Sequence, residues 1–137
     1  MEERQFLKAG VVELLDWLDA QTIPRAIATS SQHQYVHRNL AKHGLTGRFN
    51  VIVAHGDCEF GKPHPAPFLT AAHRLNVDPT CCLALEDSFN GVRSASAAGM
   101  MTVMVPDLLE PTDDIRALCV AIAADLHHVR QMLTALP

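Results

Sequence analysis

No purely apolar run in this sequence exceeds Ala117–Ala124, far short of the roughly 20 residues that cross a bilayer, so no membrane partner is expected. Positive charge is also scarce. Eleven Lys plus Arg face fifteen Asp plus Glu, for a formal charge of −4, and the basic residues are scattered. That pattern leaves no electrostatic footprint for nucleic acid. Met1–Ala9 contains two acids and no hydrophobic signal segment, which predicts a cytoplasmic protein. Cys58, Cys81, Cys82 and Cys119 form no Cys-x-x-Cys pair and no framework of the secreted kind. They are expected to be reduced, mostly buried small hydrophobes. Repeats and low-complexity linkers are absent, and 48% apolar with 19% charged residues is ordinary for a globular core. Residues 1–137 are expected to form a single domain.

What is present is an alternation of helix and strand signals. Leu7, Val11, Leu14, Leu15 and Leu18 lie on one face of a 3.6-period helix ending near Ala20. Ile23–Thr29 reads as a short strand with Pro24 near its start. Ser30 and Ser31 can cap a following helix, residues 32–43, which Gly44 would close. Val51–Ala54 is a short β-branched run opening into a loop with Gly56, Gly61, Pro63 and Pro65. The next helix should turn Phe68, Leu69, Ala72 and Leu75 inward. Cys81–Leu85 fits a strand buried on both sides, stopped by Glu86 and Asp87. A helix over Asn90–Ala98 ends at Gly99, Met101–Val105 is a strand, Cys119–Ala123 a weaker one, and Leu126–Leu136 a closing helix. This order predicts an α/β protein, a three-layer Rossmann-like parallel sheet flanked by helices, with chemistry at the carboxyl ends of the strands.

Three of those strand ends carry polar groups suited to one task. Thr29-Ser30-Ser31 offers hydroxyls and backbone N–H groups at a helix start, an anion seat, although such a pair of serines alone is commonly a cap. Lys62, held in Gly61-Lys62-Pro63-His64-Pro65, is a point charge able to neutralise phosphate or a carboxylate; a lone loop lysine is ordinarily solvated. Glu86-Asp87 places two hard oxygen donors at a strand tip, where they suit Mg²⁺ or, read alone, a turn.

Taken in order, Ile27-Ala28-Thr29-Ser30-Ser31, Gly61-Lys62-Pro63-x-Pro65 and Leu85-Glu86-Asp87-Ser88-Phe89-Asn90-Gly91-Val92 resemble the second, third and fourth motifs of the haloacid dehalogenase-like (HAD) hydrolase superfamily. Gly10-Val11-x-Glu13-Leu14-Leu15 and Ala97-Ala98-Gly99-Met100 extend the likeness over nearly the whole chain. Glu86-Asp87 makes it similar to the branch with β-phosphoglucomutase and sugar-phosphate phosphatases. The resemblance implies a Mg²⁺-dependent phosphohydrolase of a small phosphorylated substrate. Thr29 and the Ser30 N–H would hold the phosphoryl group, and Lys62 would balance its charge. Asp87 would bind Mg²⁺ with Glu86 supporting it, and Ser31, Asn90 and His64 are candidates for secondary contacts.

The same resemblance exposes an absence. The family's first motif, a central strand ending in Asp-x-Asp that bears the nucleophile, has no counterpart here, and neither has a cap domain. The expectation is therefore an incomplete HAD core, a fragment or truncated reading frame inactive by itself. Its unpaired inner strand edges, beside Ile23–Ala28 and Cys81–Leu85, would favour self-association. The alternative is a degenerate, non-catalytic domain acting in protein association. A phosphorelay receiver is set aside because its acids precede its threonine and lysine. Asp57, in Asp57-Cys58-Glu59, imitates the missing motif but reads as a turn residue. Asp113-Asp114 reads as a helix cap, and His33 with His37 as an exposed helix face rather than a metal pair.

Overall fold

The computed structural model describes residues 8–136. Helix α1 (Val11–Ala20) starts at Gly10, whose φ of 93° is a left-handed conformation that a Cβ would strain. A Cβ there would also meet the His127 backbone nitrogen at 2.5 Å, so Gly10 lets this end of α1 lie against the last helix. Leu7, the expected start of the first helix, falls outside the described residues. The other elements are β1 (Ala26–Ala28), α2 (His33–Lys42), β2 (Val51–Val53), α3 (Ala66–Leu75) and β3 (Leu83–Glu86). They are followed by α4 (Phe89–Ala97), β4 (Met101–Met104), α5 (Asp113–Leu118), β5 (Ala121–Ile122) and α6 (Leu126–Thr134).

All strand pairs are parallel. β1 pairs with β2 in the register Ala26↔Val51 to Ala28↔Val53, and β3 with β4 from Leu83↔Met101 to Glu86↔Met104. β5 joins β4 through Val103↔Ala121 and Met104↔Ile122. Among the described residues no ladder joins β1 to β3: there is a two-stranded sheet beside a three-stranded one, with the gap where the resemblance puts the missing central strand.

Strand alternation sends successive side chains to opposite layers. Ile27 packs with Leu15 of α1 and Val36 and Leu40 of α2, while Val103 and Val105 pack with Leu14 of α1 and Leu126 and Val129 of α6. On the other face Ala84 meets Phe68 of α3 and Ala95 of α4, and Met104 meets Val92 of α4 and Ile115 of α5. Helices thus cover both faces, giving the expected three layers.

Several expectations need correction. The first strand is only Ala26–Ala28, because the Ile23 N–H is taken by the Leu18 carbonyl at 2.9 Å and closes α1 instead. Cys81 belongs to a 3₁₀ turn, Pro79–Cys81, which Asp78 caps through the Thr80 N–H at 2.8 Å. β3 therefore begins at Leu83, and its burial is one-sided, with Ala84 and Glu86 buried and Leu83 and Leu85 only partly so. Leu69 is 41% exposed, since the buried stripe of α3 runs through Pro67, Phe68, Ala71 and Ala72. None of the cysteines is buried; Cys81 is exposed and the other three intermediate, all with free thiols. Neither Ser30 nor Ser31 caps α2, whose N-cap position is Gln32, and Thr112 rather than the aspartates precedes α5.

Candidate active site

β1 delivers Thr29 to the carboxyl rim of its sheet. The turn after it is pinned to β2 on both sides, by Thr29 N–H to the Val53 carbonyl at 2.9 Å and His55 N–H to the Ser31 carbonyl at 2.8 Å. The Thr29 side chain is buried and accepts the Ser31 N–H at 3.1 Å, while Ser30 stands exposed at the tip. The Thr29 hydroxyl thus lies in a turn hydrogen-bonded to the end of β2.

Lys62 arrives from the loop before α3, after which the Lys62–Pro63 peptide is cis. The loop is anchored by the fully buried Ser94 hydroxyl, which donates to the His64 carbonyl at 2.7 Å. His64 itself serves the loop: its Nδ1 accepts the Ala66 N–H at 3.0 Å, and its ring lies 4.8 Å from that of Phe60. The Lys62 ammonium donates to the Ala28 carbonyl at 2.9 Å and to Glu86 Oε2 at 2.5 Å, and sits 5.1 Å from the centre of the Phe68 ring. One cation therefore spans the gap between the ends of β1 and β3.

Glu86, the last residue of β3, is 5% exposed. Its second oxygen, Oε1, accepts the Asp87 N–H at 3.2 Å and the Ser88 hydroxyl at 3.4 Å. A carboxylate this enclosed is stable only because each oxygen is hydrogen-bonded and a cation sits beside it. Asp87 follows and lines a cavity of about 550 Å³ with Ser88, Asn90, Arg93, Asp107 and Leu108. Thr29 follows β1 and the Glu86-Asp87 pair lies at the end of β3, with Lys62 bonded to Ala28 and Glu86 between them. Thr29, Lys62 and Glu86 are not among the residues that line this cavity. Glu86 faces Lys62, and Asn90 is exposed on the cavity wall.

Asp57 is engaged elsewhere. Its Oδ2 accepts the Ala54 N–H at 2.8 Å, contacts His33 Nε2 at 2.7 Å and meets Arg74 at 3.5 Å. The backbone N–H of Ala54, with His33 and Arg74 adding to it, holds the Asp57 carboxyl below the usual carboxylate range. It is a structural turn residue, as its setting in the sequence suggested. His33 and His37 stack with ring centres 6.0 Å apart. Among the described residues no group of three His, Cys, Asp or Glu side chains is placed to hold a metal ion.

Sequence reasoning did not single out the groups packed around these residues: the Ala28 carbonyl and the Phe68 ring beside Lys62, Ser94 behind the loop, and Arg93 and Asp107 on the cavity wall. Only Phe68, an aromatic six residues after Lys62, carried a visible signal, and it was read as core alone.

The haloacid dehalogenase-like hydrolase family model matches residues 3–105. Over 104 residues the chain is 38% identical to the bifunctional riboflavin kinase/FMN phosphatase of Arabidopsis thaliana, covering 75% of this chain and 27% of that one. Hexitol phosphatase B of Escherichia coli K12 is 33% identical over 106 residues, 77% of this chain and 48% of that protein. CbbY from Rhodobacter sphaeroides, solved with phosphate, superposes with a TM-score of 0.80 at 25% identity, over 89% of this chain and 55% of its own. The β-phosphoglucomutase of Clostridium difficile shares the fold, with a TM-score of 0.75 at 23% identity over 90% of this chain and 55% of that one. The chain thus spans half or less of the length of these two curated relatives. Its ordered motifs, three-layer parallel architecture and matching family model make this chain a member of the haloacid dehalogenase-like hydrolase family.

Proposed function

We propose that this chain carries the phosphate-holding and charge-balancing half of a Mg²⁺-dependent phosphohydrolase acting on small phosphorylated metabolites, sugar phosphates among them, in the cytoplasm. The Thr29 hydroxyl and Ser30 N–H hold the phosphoryl oxygens, and Lys62 offsets their charge. Ser31, Asn90 and His64 supply secondary contacts. The observation that carries the reading is the Lys62 ammonium, which ties the Ala28 carbonyl beside Thr29 to Glu86 beside Asp87. A lysine that only served solubility would not be drawn between two strand ends and enclosed to this degree.

The donor set suits Mg²⁺, which takes one or two carboxylates and completes its shell with phosphate and water rather than an all-protein cage. Asp87, on the cavity wall, would anchor it with Glu86 in support. When bound, the ion would neutralise charge on the phosphoryl oxygens. The protein's own contribution is positional. The turn at Thr29 is fixed by β2, Lys62 is fixed by three partners, and neither has to reorganise when an anion arrives.

The sequence has no Asp-x-Asp, and Asp57, its nearest imitation, is held by Ala54, His33 and Arg74. The chain alone therefore does not turn over and binds phosphate and Mg²⁺ weakly at best. Titration with inorganic phosphate and Mg²⁺, followed by amide NMR, should move Thr29 and Ser30 in the unaltered chain and not in Lys62→Met. Undiminished binding in Lys62→Met overturns the reading. Hydrolysis of an aryl phosphate that Lys62→Met and Asp87→Asn abolish would show that a nucleophile is present after all.

One observation favours a second reading, association without catalysis: β1 and β3 share no ladder, and open strand edges recruit other strands. Sedimentation over a concentration series separates the two. A concentration-dependent oligomer that binds neither phosphate nor Mg²⁺ would support association.

A further inference from the structure

Gly91 stands in the first turn of α4 with an ordinary helical backbone; it is absent from the positive-φ residues. Conformational freedom therefore does not explain it. Helix propensity disfavours glycine at such a position, so some other constraint must favour it. That constraint is space. A Cβ built on Gly91 would lie 2.1 Å from both Cδ and Oε1 of Glu86 and 2.6 Å from Oε2. The atoms in the way are a carboxylate held by Lys62, the Asp87 N–H and the Ser88 hydroxyl, and they cannot swing aside as the end of a free side chain would.

Ser88 closes the arrangement. Its oxygen accepts the Gly91 N–H at 3.0 Å, capping α4, while its hydroxyl reaches Glu86 Oε1. Helix start, carboxylate and lysine thus form one connected unit whose packing depends on an absent methyl group.

We propose that Gly91 is a positioning residue, whose bare Cα forms the floor on which the Glu86 carboxylate rests and thereby fixes where the Lys62 ammonium points. The contact stands on geometry alone. Its consequence for phosphate rests on the phosphohydrolase reading.

The test is a cycle of Gly91→Ala, Glu86→Asp and the double variant in the full chain. Lys62 is one of only three lysines, with Lys8 and Lys42, so ¹³C-labelled lysine gives a readable ε-methylene signal for it. Gly91→Ala should move that signal toward its position in Glu86→Gln and lower the melting temperature, against the helix-propensity trend. The double variant should move both back, because an aspartate is one methylene shorter and vacates the volume the new methyl group needs. With Mg²⁺ present, Gly91→Ala should weaken inorganic phosphate binding by roughly tenfold or more, as loss of outer-shell support does.

An unmoved Lys62 signal in Gly91→Ala overturns the proposal. So does a double variant no better than Gly91→Ala, including the case in which neither folds, since that would place the role of Gly91 in the helix and not in its contact with Glu86. If the unaltered chain binds no phosphate, the phosphohydrolase reading fails, and the Lys62 signal and its rescue still decide the role of Gly91.

Discussion

The two half-sheets are held together by different means. On one face of β1 and β2 the apolar cluster of Leu15, Ile27, Val36, Leu40, Leu45 and Ala54 is bracketed by charge at both rims, and Ala28 packs into the Phe68 cluster instead. At one rim Arg25 and Arg48 reach Asp16 and Asp19 at 2.5 to 3.1 Å, and at the other His33 and Arg74 meet Asp57. Around β3, β4 and β5 apolar clusters lie on both faces. Its enclosed ion pair is Glu86 with Lys62, a residue from outside that half. Among the described residues no backbone ladder joins the halves; side chains do, with Phe68 in one cluster with Ala28 and Ala84, Lys62 between Ala28 and Glu86, and α1 packed into the clusters of both. The candidate site sits on this seam, so its geometry depends on the junction more than on either half.

Breaking the seam should have the largest effect. Phe68→Ala should cost about 3–5 kcal/mol, the usual range for truncating a buried aromatic. Urea unfolding followed separately by far-UV and near-UV signals should lose its coincidence if the halves then open independently. Lys62→Met leaves Glu86 enclosed without its cation, a loss of about 3 kcal/mol. Adding Glu86→Gln to Lys62→Met should recover much of that loss, whereas it would recover none if the lysine were only surface charge.

Next comes the carboxyl rim of the first half. Asp57→Asn should cost about 1–2 kcal/mol near neutral pH, from weakened charge-assisted bonds to Ala54 and His33. Because the folded-state pKa of Asp57 lies below its unfolded value, its contribution is fully present above about pH 4 and is lost as pH falls through the depressed value. Thermal melts of the unaltered chain should therefore decline in that acid window, and those of Asp57→Asn should decline less steeply. The smallest effect should come from Arg48→Met at the opposite rim, where the partners Asp16 and Asp19 are exposed. A melting temperature scarcely altered at physiological salt is expected for such pairs, and a large drop would mean that this rim also holds the halves in register.

The pattern of residues carried much of this. Val51–Val53 and Met101–Met104 were legible because β-branched and apolar runs have few alternatives. Lys62, Glu86 and Asp87 stood out only through the order of three motifs, because a loop lysine or an acidic pair after a strand, taken alone, reads as solvated charge or a turn. Leu69 was not legible: the helix repeat says which residues share a face, but the sheet decides which face turns inward. Cys81 was lost to Pro79 and Asp78, whose turn took precedence over a hydrophobic run. Glu86 was read as supporting a metal ion, and its hydrogen bond to Lys62 depends on a three-dimensional approach that spacing does not encode. Gly91 was visible as a helical glycine after the acidic pair, but the reason for it lies in an atom that is not there.

Helix α1 carries a consequence of its own. Neighbouring residues point to different territories, Leu15 into the cluster of the first half and Leu14 into that of the second, with Val11 and Leu18 touching both. It lies across the seam as a splint does across a fracture. Any excursion that parts the halves must strip this helix from at least one of them, so its amides should exchange with solvent only in the rarest openings of the molecule.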